Sequence, residues 1–151
     1  MFETTENRIA RVIVDACFQI HSRLGPGLLE SVYEAVLARD LARRGLTVGR
    51  QVPVPIVWGG LSFDEGFRAD LIVGDRVLVE LKSVERVAPV HTKQVLTYLR
   101  LMDKRLGLLV NFGTALIKDG IRRVVNGLDE DIQPHNIKPR TLPHDRPSLT
   151  P

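Results

Sequence analysis

Arg68-Ala69-Asp70-Leu71-Ile72-Val73-Gly74-Asp75-Arg76-Val77-Leu78-Val79-Glu80-Leu81-Lys82 decides how this chain folds. Two aliphatic, β-branched runs flank a Gly-Asp turn, which reads as a β-hairpin. The second run is apolar on both faces, so it should be buried, yet it carries Glu80 and Lys82. Because side chains alternate along a strand, Glu80 and Lys82 share one face. A buried carboxylate and ammonium need a neutralising partner, and a metal ion beside a scissile phosphate would meet that need. The plainer alternative is an exposed sheet face on which each charge pairs with a neighbour.

Register separates these readings, since a slip of one residue turns every side chain to the other face. A loop of only Gly74-Asp75 makes paired residue numbers sum to 149, which sends Asp70 and Glu80 to opposite faces. A sum of 150 brings them together and requires a three-residue loop, Gly74-Asp75-Arg76, or a bulge. Gly74 permits either, and the longer loop is expected.

Downstream, Pro89 to Leu101 opens with a favourable first helical residue and carries apolar groups at helical spacing. Gln94 and Tyr98 fall on one face of this expected helix, with His91 on the same side. An amide and a phenol one turn apart can hydrogen-bond a water or a phosphate oxygen. A half-buried helix with tyrosine at its edge accounts for the same spacing. Upstream, Gly25-Pro26-Gly27 separates two helical stretches, 5–23 and 28–44, and Glu30 falls in the first turn of the second. The helix dipole alone explains a carboxylate there. Tyr33 and Glu34 nevertheless follow on the same face, so Glu30 could look inward at the sheet.

Gly27-x-x-Glu30-x-x-Tyr33, Phe67-Arg68-Ala69-Asp70, Val79-Glu80-Leu81-Lys82 and Gln94-x-x-x-Tyr98, in that order, resemble the GxxExxY family within the PD-(D/E)XK nuclease superfamily. The last motif resembles the RecB-like branch. The resemblance runs from about residue 5 to Leu128 and implies an α/β (α+β) fold: a mixed central β-sheet flanked by helices, in the order ααβββαββ. It implies that Asp70 and Glu80, with the Leu81 carbonyl and Glu30, bind a divalent metal. By the same resemblance Lys82 helps to activate water, and Gln94 and Tyr98 support the site.

Those residue types suit phosphodiester hydrolysis, which needs an acidified water and charge opposite the departing oxygen. Hard oxygen ligands favour Mg2+ (or Mn2+), and no cysteine or histidine cluster suggests zinc. Arg68 lies on the face of Asp70 and could hold a non-bridging phosphate oxygen, although a surface salt bridge explains it equally well. The expected activity is a metal-dependent nuclease acting on nucleic acid, DNA ahead of RNA. The competing reading is a non-catalytic nucleic-acid-binding or protein-interaction module on the same scaffold, acting as a homodimer or with a partner protein.

Composition agrees with a single globular domain: 151 residues, 44% hydrophobic and 26% charged. The net charge of +3 permits nucleic-acid binding without requiring it. No membrane segment or signal peptide is visible, which points to the cytoplasm. Cys17, the single cysteine, sits in the stripe Ile9, Val12, Ile13, Ala16, Ile20 and reads as core rather than nucleophile. Leu46 to Trp58 reads as one strand, which should sit at a sheet edge or pair poorly there because Pro53 and Pro55 lack donors. Leu106 to Phe112 suits an internal strand, with Ile121 to Val125 adding another. The domain spans 1–128. Residues 129–151 hold five of the nine prolines and read as a disordered or extended tail.

Overall fold

The computed structural model describes residues 3–64 and 66–128; the expected tail lies outside the described residues. Helix α1 (Thr5–Leu24) starts where the Thr4 side chain accepts the Asn7 N–H at 3.2 Å and stops at Gly25, whose φ of 69° favours glycine. Helix α2 (Glu30–Arg43) follows, then strand β1 (Val48–Pro53), a short hairpin of β2 (Ile56–Trp58) and β3 (Leu61–Phe63), and strands β4 (Arg68–Val73) and β5 (Val77–Lys82). Helix α3 (Pro89–Leu101), β6 (Leu106–Asn111), a 3-10 turn (Ile117–Asp119) and β7 (Ile121–Val125) complete the chain.

The main sheet runs β1-β4-β5-β6-β7 and is antiparallel except for the parallel β5–β6 pair, which α3 connects. This is a mixed α/β architecture, as expected, with the β2–β3 hairpin inserted between β1 and β4. Helices α1 and α2 cover one face: Ile13, Cys17, Leu37 and Leu41 pack with Leu71, Val73, Val79 and Leu81. Helix α3 covers the other, where Val95 and Leu99 meet Leu78 and Leu109. Each fully buried leucine contributes about 1.5–3 kcal/mol relative to an exposed one. Cys17 is one of these core groups, and burial pushes its thiol up to about 12. No helix among the described residues is long and apolar enough to cross a membrane.

The β4–β5 register is Leu71↔Val79, Ile72↔Leu78, Val73↔Val77, so paired numbers sum to 150. The loop is Gly74-Asp75-Arg76. Gly74 and Asp75 adopt left-handed φ values of 60° and 56°, and the Arg76 N–H donates to the Val73 carbonyl at 3.1 Å.

The expected single strand from Leu46 to Trp58 is instead two. Strand β1 pairs only with β4, at the sheet edge, and its ladder ends at Pro53. Val54 then turns inward, 1% exposed, and donates its N–H to the Phe67 carbonyl at 2.7 Å. Pro55 has no donor with which to resume that ladder, so the chain leaves as β2 and pairs with β3. Val57, Trp58 and Leu61 on this hairpin are exposed.

Candidate functional site

Beyond Leu71↔Val79 the same register would pair Asp70 with Glu80, but the backbone ladder stops there. Side chains take its place. The Asp70 N–H donates to Glu80 Oε1 at 3.0 Å, and the Leu81 N–H donates to Asp70 Oδ2 at 2.8 Å. Each carboxylate thus occupies a donor of the opposite strand, and the two acids are locked side by side where the hairpin splays. Glu80 is 6% exposed, so burial chiefly, and then the charge of Asp70, push its carboxyl up to about 8. The Asp70 N–H and the Lys82 charge oppose that rise. Lys82 is partly buried on the Glu80 face, and its ammonium makes no hydrogen bond or ion pair among the described residues.

Helix α3 brings two further groups over this face. Gln94 Nε2 donates to the Tyr98 hydroxyl at 2.8 Å, and the Tyr98 ring lies 5.4 Å from that of Phe67. Burial first, and then the charge of Glu80, push the phenol up to about 12, with a smaller push from Asp70. The phenol therefore belongs to the electrostatic neighbourhood of the acid pair and stays protonated at neutral pH. His91 does something different: its Nδ1 accepts the Ala88 N–H at 3.1 Å and caps the start of α3.

The segment after Lys82 is pinned from two sides. The buried Asn111 side chain accepts the Val84 N–H at 3.0 Å and donates to the Val84 carbonyl at 2.8 Å. Gly113 packs so closely that a Cβ there would meet the Val84 oxygen at 2.2 Å. On the other side, Ser83 Oγ donates to the Leu28 carbonyl at 2.6 Å, and the Ser83 N–H reaches Glu30 Oε1 at 3.4 Å. Tyr33 orders that approach. Its hydroxyl donates to the Gly25 carbonyl at 2.5 Å and accepts the Leu28 N–H at 3.2 Å, while its ring stacks on Phe112 at 4.3 Å. The Gly27-x-x-Glu30-x-x-Tyr33 motif is thus a scaffold that sets an exposed glutamate against the end of β5.

Two residues outside the expected set join the acid pair. Glu34, 6% exposed, accepts from Arg50 Nε at 3.2 Å and from Gln51 Nε2 at 2.9 Å. Gln51 Nε2 also donates to Asp70 Oδ1 at 3.1 Å. The spacing of Glu34 four residues after Glu30 placed it on the inward face, and that was its only signal. Gln51 had none, because its reach depends on a backbone φ of 50° in mid-strand. Arg68 is exposed and donates to the Gln51 carbonyl at 3.1 Å, which keeps its guanidinium beside the site without an ion pair among the described residues.

Among the described residues no group of three or more His, Cys, Asp or Glu side chains is gathered to hold a metal. The structure brings Asp70 and Glu80 together, whereas Glu30 stands at Ser83. The donor set still fits a hard cation. In an extended strand the N–H and C=O of one residue point to the same edge, so the Leu81 carbonyl faces the β4 side on which its N–H meets Asp70. Two carboxylates and a carbonyl leave positions for water and phosphate, as Mg2+ prefers.

A family model described as the PD-(D/E)XK nuclease superfamily matches residues 7–124. The chain belongs to the PD-(D/E)XK nuclease superfamily. Neither the curated proteins nor the solved structures include a match. The matched stretch begins in α1 and ends in β7, so the superfamily's domain takes in both helices of the first face, the whole main sheet and α3. Within this PD-(D/E)XK nuclease domain, Asp70, Glu80 and Lys82 lie at the open end of one hairpin.

Proposed function

We propose that this PD-(D/E)XK domain is a divalent-metal-dependent nuclease of the GxxExxY kind, in the RecB-like branch, that hydrolyses phosphodiester bonds of DNA. The observation that carries the reading is the interlocked Asp70–Glu80 pair with a Lys82 ammonium on the same face that has no hydrogen-bond or ion-pair partner among the described residues. A fold has little reason to bury Glu80 against the half-buried Asp70 unless a cation completes them, since an apolar group at Glu80 would relieve the burden.

In this reading Asp70, Glu80 and the Leu81 carbonyl, with Glu30, would hold Mg2+ or Mn2+. When bound, the ion makes an attacking water more acidic and offsets charge on the departing oxygen. Lys82 holds that water and the adjacent phosphate oxygen with fixed positive charge. Tyr98, oriented by Gln94, donates to a phosphate oxygen, a role its raised pKa keeps available at neutral pH. Arg68, exposed at the rim, contacts a neighbouring phosphate.

The test is cleavage of single-stranded, duplex and branched DNA, and of RNA, with Mg2+ or Mn2+ and with chelator. Cutting is expected only with metal. Glu80→Ala and Lys82→Ala should each lower it by about 10²–10³-fold, the usual loss for a group that stabilises developing charge. Metal-insensitive binding without cutting would instead support an interaction module on the nuclease scaffold.

A further inference from the structure

Gln51 breaks two local rules at once. It is a non-glycine residue in mid-strand with φ of 50°, a conformation that side chains resist. The β1–β4 register keeps the same offset on either side, Arg50↔Leu71 and Val52↔Ala69, yet the pair between them, Gln51 opposite Asp70, is missing. No residue has been inserted, so the ladder opens at this point for another reason.

The side chain supplies it. Gln51 Nε2 donates to Glu34 Oε2 at 2.9 Å and to Asp70 Oδ1 at 3.1 Å. The oxygens of Glu34 and Asp70 accept here, so two carboxyl groups facing one amide fix which end of it points at them. Asp70 is then held by both oxygens, Oδ1 by Gln51 and Oδ2 by the Leu81 N–H. Glu34 is buried in α2 and tethered in turn by Arg50. Strain of this kind persists where surrounding contacts enforce it, and here those contacts converge on one acid of the candidate site.

We propose that Gln51 is a positioning residue: its amide ties Asp70 to the Glu34–Arg50 pair and so sets the direction in which the Asp70 carboxylate presents itself to a divalent cation. The inference rests on the nuclease reading for the cation, and on this chain's own bonds for the role. The amide takes Asp70 Oδ1, while Oδ2 is held by the Leu81 N–H. A glutamine kept only to fasten β1 to the sheet would serve better in ordinary extended backbone, where the missing ladder bonds could form.

The experiment measures binding of Mn2+ alone to the full chain by calorimetry, with Tm recorded in chelator, for wild type, Gln51→Gly, Gln51→Asn and Glu80→Gln. Glycine accepts the left-handed φ freely, and asparagine tolerates it while being too short to span both carboxylates. Both Gln51 variants are expected to keep or raise the metal-free Tm and to weaken Mn2+ binding about 10–100-fold, the usual loss when a ligand's orienting partner is removed. Either variant suffices if the other fails to fold. Unchanged Mn2+ affinity in a folded variant overturns the inference and leaves the nuclease reading intact, provided that Glu80→Gln abolishes binding. Absence of Mn2+ binding by the wild type overturns both.

Discussion

The two ends of the β4–β5 hairpin are built from opposite chemistry. At the turn end, Val73↔Val77, Ile72↔Leu78 and Leu71↔Val79 pair through backbone, and all six residues are buried apolar groups. At the open end the ladder gives way to carboxylates, with Asp70 and Glu80 each bonded to the other strand's N–H. One end contributes stability by taking hydrocarbon from water; the other holds charge that the fold would be more stable without. A single hairpin can do both because its turn end is anchored enough to tolerate an unfavourable mouth. The ladder is the hinge between the two: where it closes, side chains pack, and where it opens, they take over the backbone's hydrogen bonds.

The largest expected effect that sharpens this contrast is in pH. Glu80 holds its proton more tightly when folded, at about 8, than at its ordinary value of 4.5. Between those values the folded state carries the extra proton, so stability contributed by this acid pair falls as pH rises through the window. The full span is on the order of 4 kcal/mol at the mouth. Denaturant unfolding of metal-free protein from pH 4.5 to 8 should show that decline, and Glu80→Gln should flatten it. An equal slope in both proteins would mean that the open end carries no electrostatic load.

At the turn end, Leu78→Ala should cost about 2–5 kcal/mol in chemical denaturation, as fully buried leucines do, with little dependence on pH. A pH-dependent loss there would blur the distinction between the ends. The smallest effect belongs to the loop itself. Gly74 has φ of 60°, and an added Cβ would meet Ile9 Cδ1 at 2.7 Å. Because that atom is the tip of a flexible side chain, Gly74→Ala is expected to cost about 1–2 kcal/mol, mostly from backbone strain. Comparing its Tm with that of wild type checks the figure; a neutral substitution would show that the loop can move to another turn type.

Much of this was legible because its causes are local. The alternation of Val77 to Lys82 set the faces, and parity across Gly74-Asp75-Arg76 brought Asp70 to Glu80. Helical spacing put Gln94 beneath Tyr98, and the two now share a 2.8 Å hydrogen bond. The edge placement of β1 followed from Pro53 and Pro55. The β2–β3 hairpin was not legible. Val57, Trp58 and Leu61 are apolar yet exposed, so composition gives no sign that the chain leaves the main sheet there. The partners of two cations also resolved only in three dimensions: Arg44 meets Asp15 and Asp40, and Lys104 meets Asp75.

The sequence by itself determined which faces the strands present, how the hairpin pairs, and that two acids and a lysine meet at one end, because these follow from periods of two and 3.6 residues and a loop count. Tertiary structure alone decided that Glu34, Gln51 and Asp70 form one chain of hydrogen bonds. That contact joins a helix to two strands and depends on a backbone angle that local preference opposes, so only the packed sheet and α2 together could impose it.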